Sequence, residues 1–422
     1  MMAKMKAWQC SIMIGVVVIG VVGVGVMPYA QRVVQARGLS ERDFAEEYRQ
    51  LRGDVEPGTA GVSYKEIRAL GVNESGVWTS GIHLLEEQER EGFREANPDH
   101  SDLADALYVN LFLLYDEKKI EQYRRETELA NQEKITQPMY DMMRRFALDV
   151  LAAYAEDERL QELVDLAAEY PASKPDIVSS RVLDHTLPYL AAYRELALYE
   201  AALMREAFRE GDFDGGVKRL RRALGLCRSI AWDPTMVSLK ASLIVEQTVF
   251  AWLLEELDRH SANLFFLSGL KSEFEHHCSA IDTIEKLRHA VEVDMLIAEQ
   301  QVHEYFRDGD RVIRWRGQRD LPMIGEALPD DYIALIARLR EESLGEIRRL
   351  EGLDKLPERA WFESSALIRQ IASERYGALH GYLGGISSST YQDIKAVVSY
   401  RNNIEDWFER NERVTWDVEP KE

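Results

Sequence analysis

Basic charge is scarce in this chain. It has 52 Lys and Arg against 73 Asp and Glu, a formal charge of −21 over 422 residues. So acidic a surface repels phosphate backbones, which excludes a DNA- or RNA-binding role and leaves no nucleic-acid partner. Cysteine is scarcer still, with only Cys10, Cys227 and Cys278. No Cys-x-x-Cys pair exists. Cys10 falls in an apolar run, so Cys227 and Cys278 remain for the body, far apart and inside helical patterns. They allow one disulfide in an oxidising compartment and otherwise read as buried thiols. Strand-like alternation is missing, which points to an all-α fold. Catalytic signatures are missing too: no P-loop, no Gly-x-Gly-x-x-Gly, no His-Glu-x-x-His and no Gly-x-Ser-x-Gly. Ser268-Gly-Leu-Lys271 matches Ser-x-x-Lys, but the companion motifs Ser-Asp-Asn and Lys-Thr-Gly are absent. No cofactor is implied, and the chain reads more as a non-enzyme than as an enzyme.

The N-terminus is the clearest positive feature. Lys4 and Lys6 precede a stretch without charge from Ala7 to Gln31, apolar throughout Ser11–Met27. A membrane-spanning helix needs about 20 predominantly apolar residues, and this run is long enough. Trp8 and Tyr29 stand at its ends, where amphipathic rings favour the headgroup level. Residues 1–31 are therefore expected to form a transmembrane anchor. The competing reading is a signal peptide cut after Ala30, which Pro28 makes a poor site. Arg32, Arg37 and Arg42 follow the run, so Lys and Arg counts alone do not orient it. A short basic tail such as Lys4–Lys6 ordinarily stays inside. The expectation is a single-pass membrane protein with its body on the non-cytoplasmic, periplasmic side.

After the anchor, residues 32–82 hold a short helix and a linker. Over 38–52, Ser40 is a candidate N-cap with Asp43 three residues on. Gly53, Pro57, Gly58, Gly61, Gly71, Gly76 and Gly81 make the next stretch loop-rich. Residues 83–422 form a helical body, with a candidate division near 309–330. Its breaks include Pro138, Pro171–Pro175, Gly211-Asp212, Asp233-Pro234 and Gly384-Gly385. Two segments show the packing rule. Phe213, Val217, Leu220, Leu224 and Cys227 form one apolar stripe; Ile284, Leu287, Val291, Met295, Ala298, Val302 and Phe306 form another. A helix with one such stripe must bury it against neighbours. Helices of this kind stack into arrays of antiparallel hairpins, as an α-solenoid or a helical bundle. The aromatic-rich C-terminal region Tyr376–Trp416 is expected to end the array as a packed helix.

Ala207–Leu224 resembles the turn and second helix of a tetratricopeptide repeat. Gly211-Asp212-Phe213 takes the turn, with Leu220 and Ala223 at packing positions. Gly216 departs from the pattern by replacing a packing alanine, and the closing proline comes late, at Pro234. Ala155–Pro171 is a weaker match, and no 34-residue period runs through the chain. The layout also resembles bacterial envelope proteins with one N-terminal anchor and a helical-hairpin body, in which a helix opens on a segment such as Pro234-Thr235-Met236-Val237-Ser238. The resemblance implies an interaction scaffold whose partners are other envelope proteins.

Two side-chain groups could carry chemistry. Glu273, His276, His289, Glu292 and His303 are the metal candidates, with His277 and Glu299 nearby. Glu273-x-x-His276 has the i, i+3 spacing that places a carboxylate and an imidazole on one helix face, as di-metal bundles use it. The group flanks the apolar stripe, where side chains are ordinarily solvated. Arg311, Arg314, Trp315, Arg316 and Arg319, preceded by Arg307, make a basic, aromatic-containing loop that could clamp an anionic ligand or a partner through guanidinium forks. Pairing with the acidic body is the competing reading.

Overall fold

The structure, a computed structural model, describes residues 43–52, 91–92, 94–95, 98, 125, 137–169, 188–260, 264–308, 329–351 and 388–416. The apolar run 1–31, the glycine-rich stretch 53–82 and the cluster Arg311, Arg314, Trp315, Arg316 and Arg319 lie outside the described residues.

Among the described residues every extended element is an α-helix, and no strand occurs. The helices are α1 (Phe44–Arg52), α2 (Gln137–Glu156), α3 (Glu158–Glu169), α4 (Pro188–Glu210), α5 (Phe213–Ala231), α6 (Met236–Arg259), α7 (Leu264–Ala280), α8 (Thr283–Asp308), α9 (Pro329–Leu350) and α10 (Ser388–Trp416). Short polar residues start them. Asp157 Oδ1 accepts from Leu160 N–H at 3.0 Å, Asp212 from Gly215 N–H at 3.0 Å, and Asp282 from Ile284 and Glu285 N–H at 2.9 and 3.0 Å. Thr235 Oγ1 caps α6 through Ser238 N–H at 3.2 Å. Each cap satisfies backbone donors that a helix start leaves open, worth about 1 kcal/mol. At α1 the capping residue is Asp43, through Glu46 N–H at 3.0 Å; Ser40 lies outside the described residues. Pro138, Pro188 and Pro329 sit in first turns, where a missing N–H costs nothing; Pro138 therefore opens a helix instead of breaking one.

The α4–α5 hairpin keeps the expected turn. Gly211 has φ of 81°, a left-handed conformation open to glycine, and Gly211 N–H bonds back to Phe208 C=O at 3.2 Å. Gly216 departs from the repeat pattern for a visible reason: a Cβ there would run into the Phe208 ring.

Around this hairpin the helices close a bundle. α5 packs against α3, α4, α6 and α7; α6 packs against α4, α5, α8 and α10; α9 packs on α8. One apolar core runs through α2 to α10, so described residues on both sides of 309–330 share it. α10 returns along α6 rather than closing an end. Gln247 Nε2 donates to Asp393 C=O at 3.1 Å, and Trp407 Nε1 donates to Asp258 Oδ1 at 2.9 Å. Contact with an element some 150 residues away goes beyond the neighbour-only packing of a repeat array.

α6 is long and apolar enough to cross a membrane by length and composition. In this fold it lies among four helices, with Glu246 and Glu256 buried along it. The short helix α1 also belongs to the body. Phe44 and Tyr48 pack on Val293 and Leu296 of α8, and Tyr48 Oη donates to Asp233 at 3.0 Å.

Candidate functional site

A helix this apolar should not carry a charge at its middle unless the charge is paired. Glu246 is the sole charged residue between Lys240 and Glu255 of α6, and it is buried. Three helices converge on it. From α10, Arg401 Nη2 donates to Glu246 Oε2 at 2.9 Å, while Arg401 Nη1 donates to Ile281 C=O at 2.9 Å. From α7, His277 Nε2 lies 3.2 Å from Glu246 Oε1. From α5, Cys227 Sγ lies 3.9 Å from Glu246 Oε1 and 3.4 Å from Ser242 C=O. Donor atoms of Cys227, Glu246 and His277 all fall within 4.8 Å of one another, and all three residues are fully buried.

Electrostatics assigns the protons. Burial pushes the Glu246 carboxyl up, but Arg401 and the His277 hydrogen bond outweigh it and bring it from 4.5 down to about 2. Glu246 is therefore a carboxylate. Burial lowers the His277 pKa, and the neighbouring carboxylate does not restore it. The imidazole is neutral and donates its Nε2–H to Glu246, which leaves Nδ1 a lone-pair acceptor with no hydrogen-bond partner. Burial raises the Cys227 thiol well above its usual value, with Glu246 adding to the effect. Cys278, one residue beyond His277, is pushed up to about 12 by burial. Both cysteines are free thiols. Next to Cys227, the buried guanidinium of Arg228 has neither Nε nor Nη1 in a hydrogen bond.

A second buried carboxylate, Glu200 of α4, is handled differently. It accepts from Tyr154 Oη at 2.5 Å and from Arg219 Nη1 at 2.9 Å, with Arg222 Nη1 at 3.5 Å. Arg222 is shared with Asp165, Nε to Oδ1 at 2.5 Å, and with Gln161 Oε1 at 2.5 Å. Burial raises the Glu200 pKa despite these donors. A third group lies further along α4 and α6, where Arg205 Nε meets Glu256 at 3.1 Å over the Trp252 ring.

The residues singled out from the sequence go to separate partners. Glu273 is buried and accepts from Arg221 Nε at 2.7 Å. His276 is exposed on α7. His289 is half-buried on α8, its pKa lowered by burial. Glu292 faces Arg340 of α9 at 3.7 Å. Glu299 is half-buried on α8, and His303 stacks edge-on with Phe44, centroids 4.8 Å apart. Among the described residues the three-donor group is instead Cys227, Glu246 and His277. A usable signal for it was the isolated Glu246 in the run Leu243–Leu254. The meeting of α5, α6 and α7 has no sequence signal.

Comparison with protein families, curated proteins and solved structures finds no match to this chain.

Proposed function

We propose that the chain is a membrane-tethered, all-helical interaction protein whose bundle presents a docking surface to other envelope proteins. The observation that carries this reading is an apolar stripe left open on the core helix. Val237 is 62% exposed and Ile244 37% exposed, and seven residues apart they lie on one face of α6. Ala241, half-buried, lies between them. An apolar stripe left exposed on this long, apolar helix reads as a partner contact. The hairpin-like α4–α5 unit supports the tetratricopeptide-like reading locally, and the return of α10 makes the whole a bundle.

The tether follows from length. If the run ending at Gln31 crosses the bilayer, the 13 residues to Phe44 span at most roughly 45 Å. Because α1 docks on α8, that face of the bundle stays near the membrane, with the body on the periplasmic side. The acidic surface keeps it off anionic lipid and nucleic acid.

The test uses the full-length chain in its own membranes. Crosslinking and pull-down should recover a small reproducible set of envelope proteins, and Val237→Glu with Ile244→Glu should remove them while leaving the helical content unchanged. Recovery of the same set with both substitutions in place would rule out this stripe. Recovery of no specific partner by the parent chain would rule out the scaffold.

A further inference from the structure

We propose that Cys227, Glu246 and His277 form a buried site for one thiophilic divalent transition-metal ion, with Zn²⁺ the ion that suits the three donors best. They come from three helices that meet only in the folded bundle, with all three donor atoms within 4.8 Å of one another, and two of the spacings come close to what the ion sets. Tetrahedral Zn²⁺, with bonds of about 2.0–2.1 Å to N and O and about 2.3 Å to S, sets neighbouring donors roughly 3.3–3.7 Å apart. Here His277 Nε2 and Glu246 Oε1 are 3.2 Å apart, and Cys227 Sγ and the same Oε1 are 3.9 Å apart. A thiolate, an imidazole and one carboxylate oxygen favour Zn²⁺ over the hard cations Mg²⁺ and Ca²⁺.

The surroundings match what a ligating carboxylate needs. Arg401 holds Glu246 Oε2, which fixes the carboxylate and leaves Oε1 toward Cys227 and His277. Such an outer hydrogen bond orients a metal ligand. His277 Nδ1 is buried without a partner, so its lone pair is free to take the proton that must leave Nε2.

Binding balances without redox. The thiol proton of Cys227 leaves to solvent, the imidazole proton moves from Nε2 to Nδ1, and the ion bonds to Sγ, Nε2 and Oε1. The cluster gains one net positive charge. Arg228 and Arg401 oppose that gain but favour the thiolate, and Glu273 lies close enough to Arg228 to offset it in part. Complete burial keeps substrate away, so the ion clamps α5, α6 and α7 together.

The test titrates the full-length, detergent-purified chain with Co²⁺, whose thiolate charge-transfer and tetrahedral absorption bands report ligand type. One equivalent should bind, with both bands, and the apparent affinity should rise about tenfold per pH unit because one proton is released. Cys10→Ser with Cys278→Ser leaves Cys227 as the sole thiol and touches none of the three ligands. The bands should persist in that variant, and Cys227→Ser should abolish the charge-transfer band and weaken binding at least ~100-fold. A folded C10S/C278S chain without a charge-transfer band in excess Co²⁺, or Cys227→Ser binding as tightly as the parent, would overturn the site. If Cys227→Ser loses its helical circular dichroism, the double variant and the proton release decide alone.

Discussion

Glu200 and Glu246 are both buried carboxylates facing arginine, yet they sit in opposite chemical situations. Glu200 is surrounded by Tyr154, Arg219 and Arg222, and Arg222 is in turn shared with Asp165 and Gln161. Burial still raises its pKa. Glu246 has Arg401 and a neutral His277, its pKa is brought down to about 2, and unpaired nitrogens remain beside it. The first network binds four helices and is complete within itself. The second holds a settled negative charge next to groups that still lack partners. Burial alone does not separate a structural ion network from a metal site; the side chains that meet the carboxylate do, a phenol and two guanidinium groups at Glu200 against a thiol and an imidazole at Glu246.

The comparison breaks most sharply at Arg401. Arg401→Met strands Glu246 in the core with only a neutral imidazole, and removing one partner of a buried pair costs about 3–5 kcal/mol. Urea unfolding should show it, and the His277 pKa should rise because the opposing guanidinium is gone. Acid unfolding comes next. Glu246 has a folded pKa below its unfolded value, so its contribution is present above about pH 4.5 and is lost as pH falls toward about 2. In a metal-free sample Glu246→Gln should flatten that acid limb by about 3 kcal/mol.

Glu200→Gln should cost less, about 1–3 kcal/mol, because Arg222 keeps Asp165 and Gln161 and the amide still accepts from Tyr154. Thermal unfolding at pH 7 measures it. Asp294 supplies the opposite sign on the same fold. Burial lifts its carboxyl to about 7 although Met236 N–H bonds to it at 3.3 Å. A raised folded pKa means the group costs stability progressively from pH 3.8 to 7. Asp294→Asn should therefore gain about 1–3 kcal/mol at pH 8, with the gain vanishing near pH 4. The smallest expected effect on stability is at Val237 and Ile244, where glutamate should change unfolding by under about 0.5 kcal/mol each while removing partners.

Helix periodicity made much of the body legible. Leu220, Leu224 and Cys227, and Leu287, Val291, Met295 and Ala298, are buried as their spacing predicts. α8 nevertheless buries a second face, Val293 and Leu296, because α1 docks there. A stripe predicts which face meets a core but not whether another helix covers the flank. α5 shows the same limit: Arg222 and Arg228 lie off the stripe and are buried, because α3, α4, α6 and α7 surround them. The metal candidates chosen by i, i+3 spacing met separate partners for that reason. Spacing along one helix fixes a shared face, whereas a metal site needs donors from several helices.

By itself the sequence determined the all-helical class, the turn at Gly211-Asp212 and an apolar N-terminal run long enough to span a bilayer. Each of these rests on local forces: hydrophobic period, backbone conformation and run length. The tertiary structure decided which charges are buried and what each one meets. Cys227, Glu246, His277 and Arg401 span 174 residues, and only the packing of α5, α6, α7 and α10 brings them together, because side-chain chemistry between helices depends on which faces meet.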